Sequence, residues 1–235
     1  MTRNTVSRPG VRALVPLAFP VVARSNPLGR PAGTSPARRL LWPLLLVALV
    51  ATACSGAAAV PDEGPYAGVE LEIPLEKPDI TLIDTNGEPW SLRDETEGHL
   101  TLLYFGYTNC PDVCPIHLAQ LDAVLSRPGM PRNVEVVLVT VDPDRDDPAT
   151  LRRYLDQFDD DYIGLTGSLA DVQAAQIAFG LAVAVEEEDG VFGHGTQVFA
   201  FAPDGVAYTV YPQGTRQSHW IEDLPLLDDL DGDQS

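Results

Sequence analysis

Leu100 to Phe105 reads LTLLYF, six residues without a charge, and Val134 to Val141 repeats the pattern with one glutamate. Side chains alternate between the two faces of a strand, so runs this apolar must be covered on both sides. Each run is followed by helical spacing. Leu118, Leu121 and Leu125 mark a helix over Val113 to Leu125, and Pro148 to Phe158 is an amphipathic helix opened by proline. Ile163 to Leu165 is a short strand. Ser168 to Phe179 is a further helix, with Ser168 placed to cap it and Asp171 at its third position.

The flanks read as β structure. Val69 to Ile73 alternates apolar and polar residues, the pattern of a half-buried strand, and Ile80 to Ile83 turns at Asn86-Gly87 towards a short partner at Trp90. Glu186 to Gly190 is an acidic loop. Thr196 to Phe201 and Val206 to Tyr211 form a hairpin about Ala202-Pro203-Asp204-Gly205, and Gln217 to Leu230 is partly helical. Strands alternating with helices and closing on a hairpin predict a three-layer α/β domain.

Charge divides the chain. Residues 1–53 hold seven arginines and no acidic residue, while the other 182 residues hold 8 basic and 34 acidic side chains. So acidic a body repels phosphate, which argues against nucleic-acid partners and against membrane binding by charge. Arg38-Arg39 precedes fourteen uncharged, mostly apolar residues and then Cys54, which reads as a secretory signal. As a helix those fourteen residues span about 21 Å, short of the roughly 30 Å hydrocarbon core of a bilayer. Val50-Ala51-Thr52-Ala53-Cys54 resembles a bacterial lipobox, in which the cysteine is acylated, although Ala51 stands where the pattern prefers leucine. The alternatives are an uncleaved anchor or secretion with an incidental cysteine. The expected organisation is a signal segment (1–53), a lipidated N-terminus with a flexible linker (54–68), and one domain (69–235) held at the extracytoplasmic face of the cell membrane.

Cys110 and Cys114 form a CxxxC where a central strand passes into a helix. Free N–H groups at a helix N-terminus favour thiolate over thiol. Three readings stand: two small core residues, a redox dithiol, or a soft-metal site completed by an imidazole. Of the four histidines, His99 reads as surface at the far end of its strand and His219 as packing or capping. His117, one turn beyond Cys114, and His194, between Gly193 and Gly195, are the rivals, and spacing does not separate them.

The stretch Phe105 to Pro115, FGYTNCPDVCP, resembles the signature of the SCO/SenC family, thioredoxin-fold copper proteins that assist assembly of cytochrome c oxidase. Similarity continues through Val141 to Asp146, Leu151 to Phe158, Ile163 to Gly167 and the Pro203-Asp204-Gly205 turn, covering about residues 70 to 232. The resemblance implies a thioredoxin-like sandwich with a central mixed sheet and an added hairpin. It implies one copper ion, Cu(I) or Cu(II), on Cys110, Cys114 and His194, and demotes His117. The implied role is a membrane-tethered chaperone for the oxidase subunit carrying the binuclear copper site, served by a copper donor protein. A thiol-disulfide oxidoreductase using the same dithiol is the alternative. A peroxidase-like relative lacks the cationic partner its cysteine needs, since the motif contains no Arg or Lys. The family usually has an acidic residue before the histidine and Ser or Thr after it; Gly193 and Gly195 stand there instead. Asp142 is a candidate to orient the imidazole, or else ends its strand.

Overall fold

All seven residues of β4 (Leu100–Gly106) are buried, so both faces of that strand are covered as its composition requires. In this computed structural model, which describes residues 64–187 and 190–230, β4 lies at the centre of a six-stranded mixed sheet. β5 (Val134–Thr140) pairs with it in parallel, Leu100 opposite Val134 through Gly106 opposite Thr140, and β6 (Ile163–Leu165) continues in parallel. On the other side β9 (Val198–Phe201), β10 (Val206–Tyr211) and β1 (Val69–Glu76) follow, each antiparallel to its neighbour. The connections decide this split. Helices α2 (Val113–Leu125) and α3 (Pro148–Leu155) supply the long crossovers that parallel pairing needs. The tight turn Ala202 to Gly205, with φ 83° at Gly205, permits only antiparallel pairing.

Several boundaries differ from expectation for local reasons. β1 is not half-buried: six of its eight residues are exposed, because it is the edge of the sheet and its pairing with β10 breaks between Glu70 and Leu75. α3 stops at Leu155, and the chain to Phe158 tightens into a turn in which Phe158 N donates to Leu155 O at 2.8 Å. β2 (Thr81–Ile83) and β3 (Pro89–Ser91) pair as read, with Gly87 at φ 84°, ahead of the single-turn helix α1 (Leu92–Glu95). Ser168 caps α4 (Leu169–Ala178), accepting from Asp171 N at 3.2 Å.

Glu186, read as part of an acidic loop, lies in a strand: β7 (Val185–Glu186) pairs with β8 (Phe192–Gly193), making a separate two-stranded arm. Helix α5 (Gln217–Asp228) buries Trp220, which stacks on Tyr211 at 3.8 Å, and Asp223, which accepts from Ala67 N and Gly68 N at 2.8 Å. The signal segment and Cys54 lie outside the described residues. Among those described, no helix is long and apolar enough to cross a membrane.

Candidate metal centre

β4 ends at Gly106, and a Cβ there would meet Cys114 Sγ at 2.8 Å, the Tyr104 ring at 2.9 Å and Leu138 at 3.0 Å. The missing side chain lets the Cys114 sulfur lie against the strand end. Cys114 is buried as the second residue of α2, and half-buried Cys110 precedes that helix in a turn closed by Cys110 N donating to Tyr107 O at 3.2 Å. The two cysteines therefore do not share a helix. Pro111 precedes the N-cap, and Pro115 is the proline within the first turn, where a missing N–H costs nothing.

The N-cap residue, Asp112, makes no capping hydrogen bond with its side chain. The Cys110 sulfur takes that place: Cys114 N donates to it at 3.5 Å, and the N–H groups of Asp112 and Val113 also face it. The Cys114 thiol donating to Cys110 does most to pull its pKa down. The backbone donors assist against partial burial, and the result is about 5. Cys114 keeps the shared proton and is buried, so its own pKa is driven far up. Iodoacetamide at about pH 6 is thus expected to modify Cys110 in the folded protein and spare Cys114. The Cys110 rate should half-develop near pH 5. A midpoint near the ordinary thiol value of about 8.5 would contradict this assignment.

His194 follows directly after β8. Its Nδ1 lies 2.8 Å from Gly195 O. A carbonyl only accepts, so Nδ1 carries the proton and the Nε2 lone pair is bare. The backbone of Gly195 thereby supplies the orientation that flanking side chains would otherwise give. The arm is held against the motif by Tyr107, whose ring meets His194 edge-on at 5.8 Å and Phe192 at 5.4 Å. Arg145 grips the arm through Glu186 at 3.1 Å and lies over the Phe192 ring. The donor atoms of Cys110, Cys114 and His194 do not all lie within 4.8 Å of one another; among the described residues only Asp159, Asp160 and Asp161, on the acidic surface, do so. Ligands about 2.0–2.3 Å from one ion in trigonal or tetrahedral geometry lie within about 4 Å of each other, so binding through all three requires these donor atoms to draw closer together.

The other candidates separate clearly. His117 is buried with its ring edge-on to Tyr104 at 5.8 Å and Nδ1 unpartnered; burial first, and then the proximity of the His194 ring, lowers its pKa. His99 pairs with Glu135 at 2.9 Å at the opposite end of β4, and His219 lies in the first turn of α5. Asp142 lies two residues beyond β5 and holds the following turn: its carboxylate accepts from Arg145 and its carbonyl from the N–H groups of Arg145 and Asp146. Sequence reasoning overlooked two residues. Fully buried Asp146 accepts from Thr108 N at 3.0 Å, Thr108 Oγ1 at 2.5 Å and Thr140 Oγ1 at 2.6 Å, tying the motif loop to β5. Tyr107 is the other. The signals for Asp146 are its place in the family-like stretch Val141 to Asp146 and in the acid-rich segment Asp142 to Asp147, and neither marks which carboxylate receives the motif loop.

Residues 72–227 match the SCO1/SenC family model. The chain belongs to the SCO1/SenC family. The mitochondrial SCO2 homolog of Mus musculus is 32% identical over 154 residues, covering 62% of this chain and 60% of that protein. The corresponding Danio rerio protein is 35% identical over 148 residues, covering 60% of this chain and 52% of that protein. A putative copper-binding protein of Stutzerimonas stutzeri is 35% identical over 142 residues, covering 57% of this chain and 69% of its own length. This family member thus spans between about half and three fifths of its mitochondrial relatives. Apo Sco1 from Thermus thermophilus superposes with a TM-score of 0.60 at 29% identity, covering 69% of this chain and 96% of that one. Bradyrhizobium japonicum ScoI with copper bound gives 0.56 at 29% identity, covering 65% and 99%. The fold of this family member is the thioredoxin-like sandwich expected from its motif.

Proposed function

We propose that this chain is a copper chaperone that takes one copper ion on Cys110, Cys114 and His194 and delivers it to the binuclear copper centre of a respiratory oxidase. One observation carries the reading: a half-buried cysteine sulfur capping the N-terminus of α2 beside a buried thiol, with an imidazole on an adjoining arm whose Nδ1 is engaged by the Gly195 carbonyl. Two sulfurs and one imidazole suit a soft ion, and copper is bound in a relative of the same fold. Cys110 holds its site deprotonated, Cys114 gives up its proton when the ion arrives, and His194 closes from the arm. Three ligands on a partly exposed edge leave room for a recipient to exchange them one by one. Tethering through acylated Cys54 at the extracytoplasmic face, and loading by a copper donor protein, belong to the same proposal.

The thiolate–thiol pair also favours a second reading, since an activated outer cysteine with a buried partner is the arrangement of a thiol-disulfide reductase. Copper titration of the reduced full chain separates the two. The chaperone binds one equivalent. Its His194→Ala variant loses the thiolate-to-Cu(II) absorption and weakens Cu(II) binding by more than the roughly 100-fold that losing an outer-shell partner costs. A reductase binds no copper, tolerates His194→Ala, and turns over an insulin-type disulfide.

A further inference from the structure

We propose that Tyr107 is the positioning residue of the copper site, its hydroxyl coupling the Cys110 sulfur to the arm that carries His194. This rests on the copper reading above and adds a residue to it. Residue 107 touches every part of the site. Its carbonyl accepts from Cys110 N at 3.2 Å, and its own N–H faces the Cys114 sulfur. Its ring is 1% exposed and lies edge-on to both Phe192 and His194. Its hydroxyl oxygen accepts from Phe192 N at 3.1 Å, two residues before the imidazole.

That last bond fixes what the hydroxyl does next. A phenol has one proton to give, and with its oxygen already accepting from the arm, the proton is free for the Cys110 sulfur, which faces it. A cysteine sulfur that holds a metal is a thiolate, and donation to it draws electron density from the sulfur and so tunes its bond to the metal. Gly193 and Gly195 offer no side chain to steady His194, and among the described residues the hydrogen bond from Phe192 N to Tyr107 ties β8 to the motif strand. Arg145 holds the arm independently through Glu186, so loss of the Tyr107 hydroxyl leaves the arm attached but without its hydrogen bond to the motif loop.

Tyr107→Phe in the full chain removes that one oxygen and keeps the ring. Hydrogen exchange of the Phe192 amide in the metal-free protein is expected to quicken about tenfold, as it loses its acceptor. Cu(II) affinity is expected to fall about tenfold, and the thiolate-to-Cu(II) absorption to move to lower energy as the sulfur regains density. Cu(I), held chiefly by the two thiolates, should change by less than about threefold. A stable variant with an unmoved absorption band and unchanged Phe192 exchange overturns the inference. Equal losses for Cu(I) and Cu(II) with the band unmoved also overturn it, since they mark a general loosening. A wild type that takes up no copper overturns the function first, before any variant is compared.

Discussion

Cys110→Ser and Cys114→Ser are each expected to lower Cu(I) affinity by at least about a thousandfold, roughly 4 kcal/mol of binding free energy. Cu(I) is soft and prefers sulfur; a serine hydroxyl neither ionises near neutrality nor offers a polarisable lone pair. The two variants should differ in how they fail. Cys110 lies half-buried in a turn, so its replacement leaves the core alone and removes the anionic cap of α2. Cys114 is packed against Gly106 and Tyr104, and a hydroxyl there enters an apolar contact, so this variant should also lose about 1–2 kcal/mol of stability. Competition against a chromophoric Cu(I) chelator, with urea unfolding alongside, measures both effects. Retention of wild-type affinity in either variant would remove the basis for a two-sulfur site.

Asp146→Ala is expected to cost about 3–5 kcal/mol, the largest stability loss for any single polar side chain in the motif loop. Three donors converge on this fully buried carboxylate, and hydrogen bonds to a charged acceptor are the strong ones. The hydroxyls of Thr108 and Thr140 can rotate to other acceptors. The N–H of Thr108 cannot, and it would be left half-buried without a partner. The loss should appear as a lower urea midpoint with unchanged slope, and Asp146→Asn, which keeps an acceptor oxygen, should lose less. Thr108 is two residues from Cys110, so the alanine variant should also blunt the alkylation of Cys110 at about pH 6. A stability loss below about 1 kcal/mol would show that Thr108 is held by something else.

How much of this was legible depended on the range over which each signal acts. The apolar runs of β4 and β5, the cap at Ser168 and the turn at Gly205 are written in neighbouring residues, and they stand where local patterning put them. The exposure of β1 was not legible, because alternation does not reveal whether a strand has one neighbour or two. Residues 186–190 read as an acidic loop, and Val191 to Gly195 as a glycine-flanked one. Two-residue strands carry no period to detect, and the pairing of Val185 with Gly193 is a contact across that loop.

The same division runs through the candidate site. Order along the chain settled that Cys110 and Cys114 stand where a buried strand turns into a helix, because that depends only on the few residues that end one element and cap the next. It also settled the family, through an uninterrupted motif. Tertiary packing alone decided which sulfur sits at the helix N-terminus and which beneath it. It decided that the Tyr107 hydroxyl reaches Phe192 across 85 positions of sequence, and that Asp146 rather than Asp142 accepts from the motif loop. Those are matters of where side chains from distant segments point once the sheet has closed, and no local rule of spacing carries that direction.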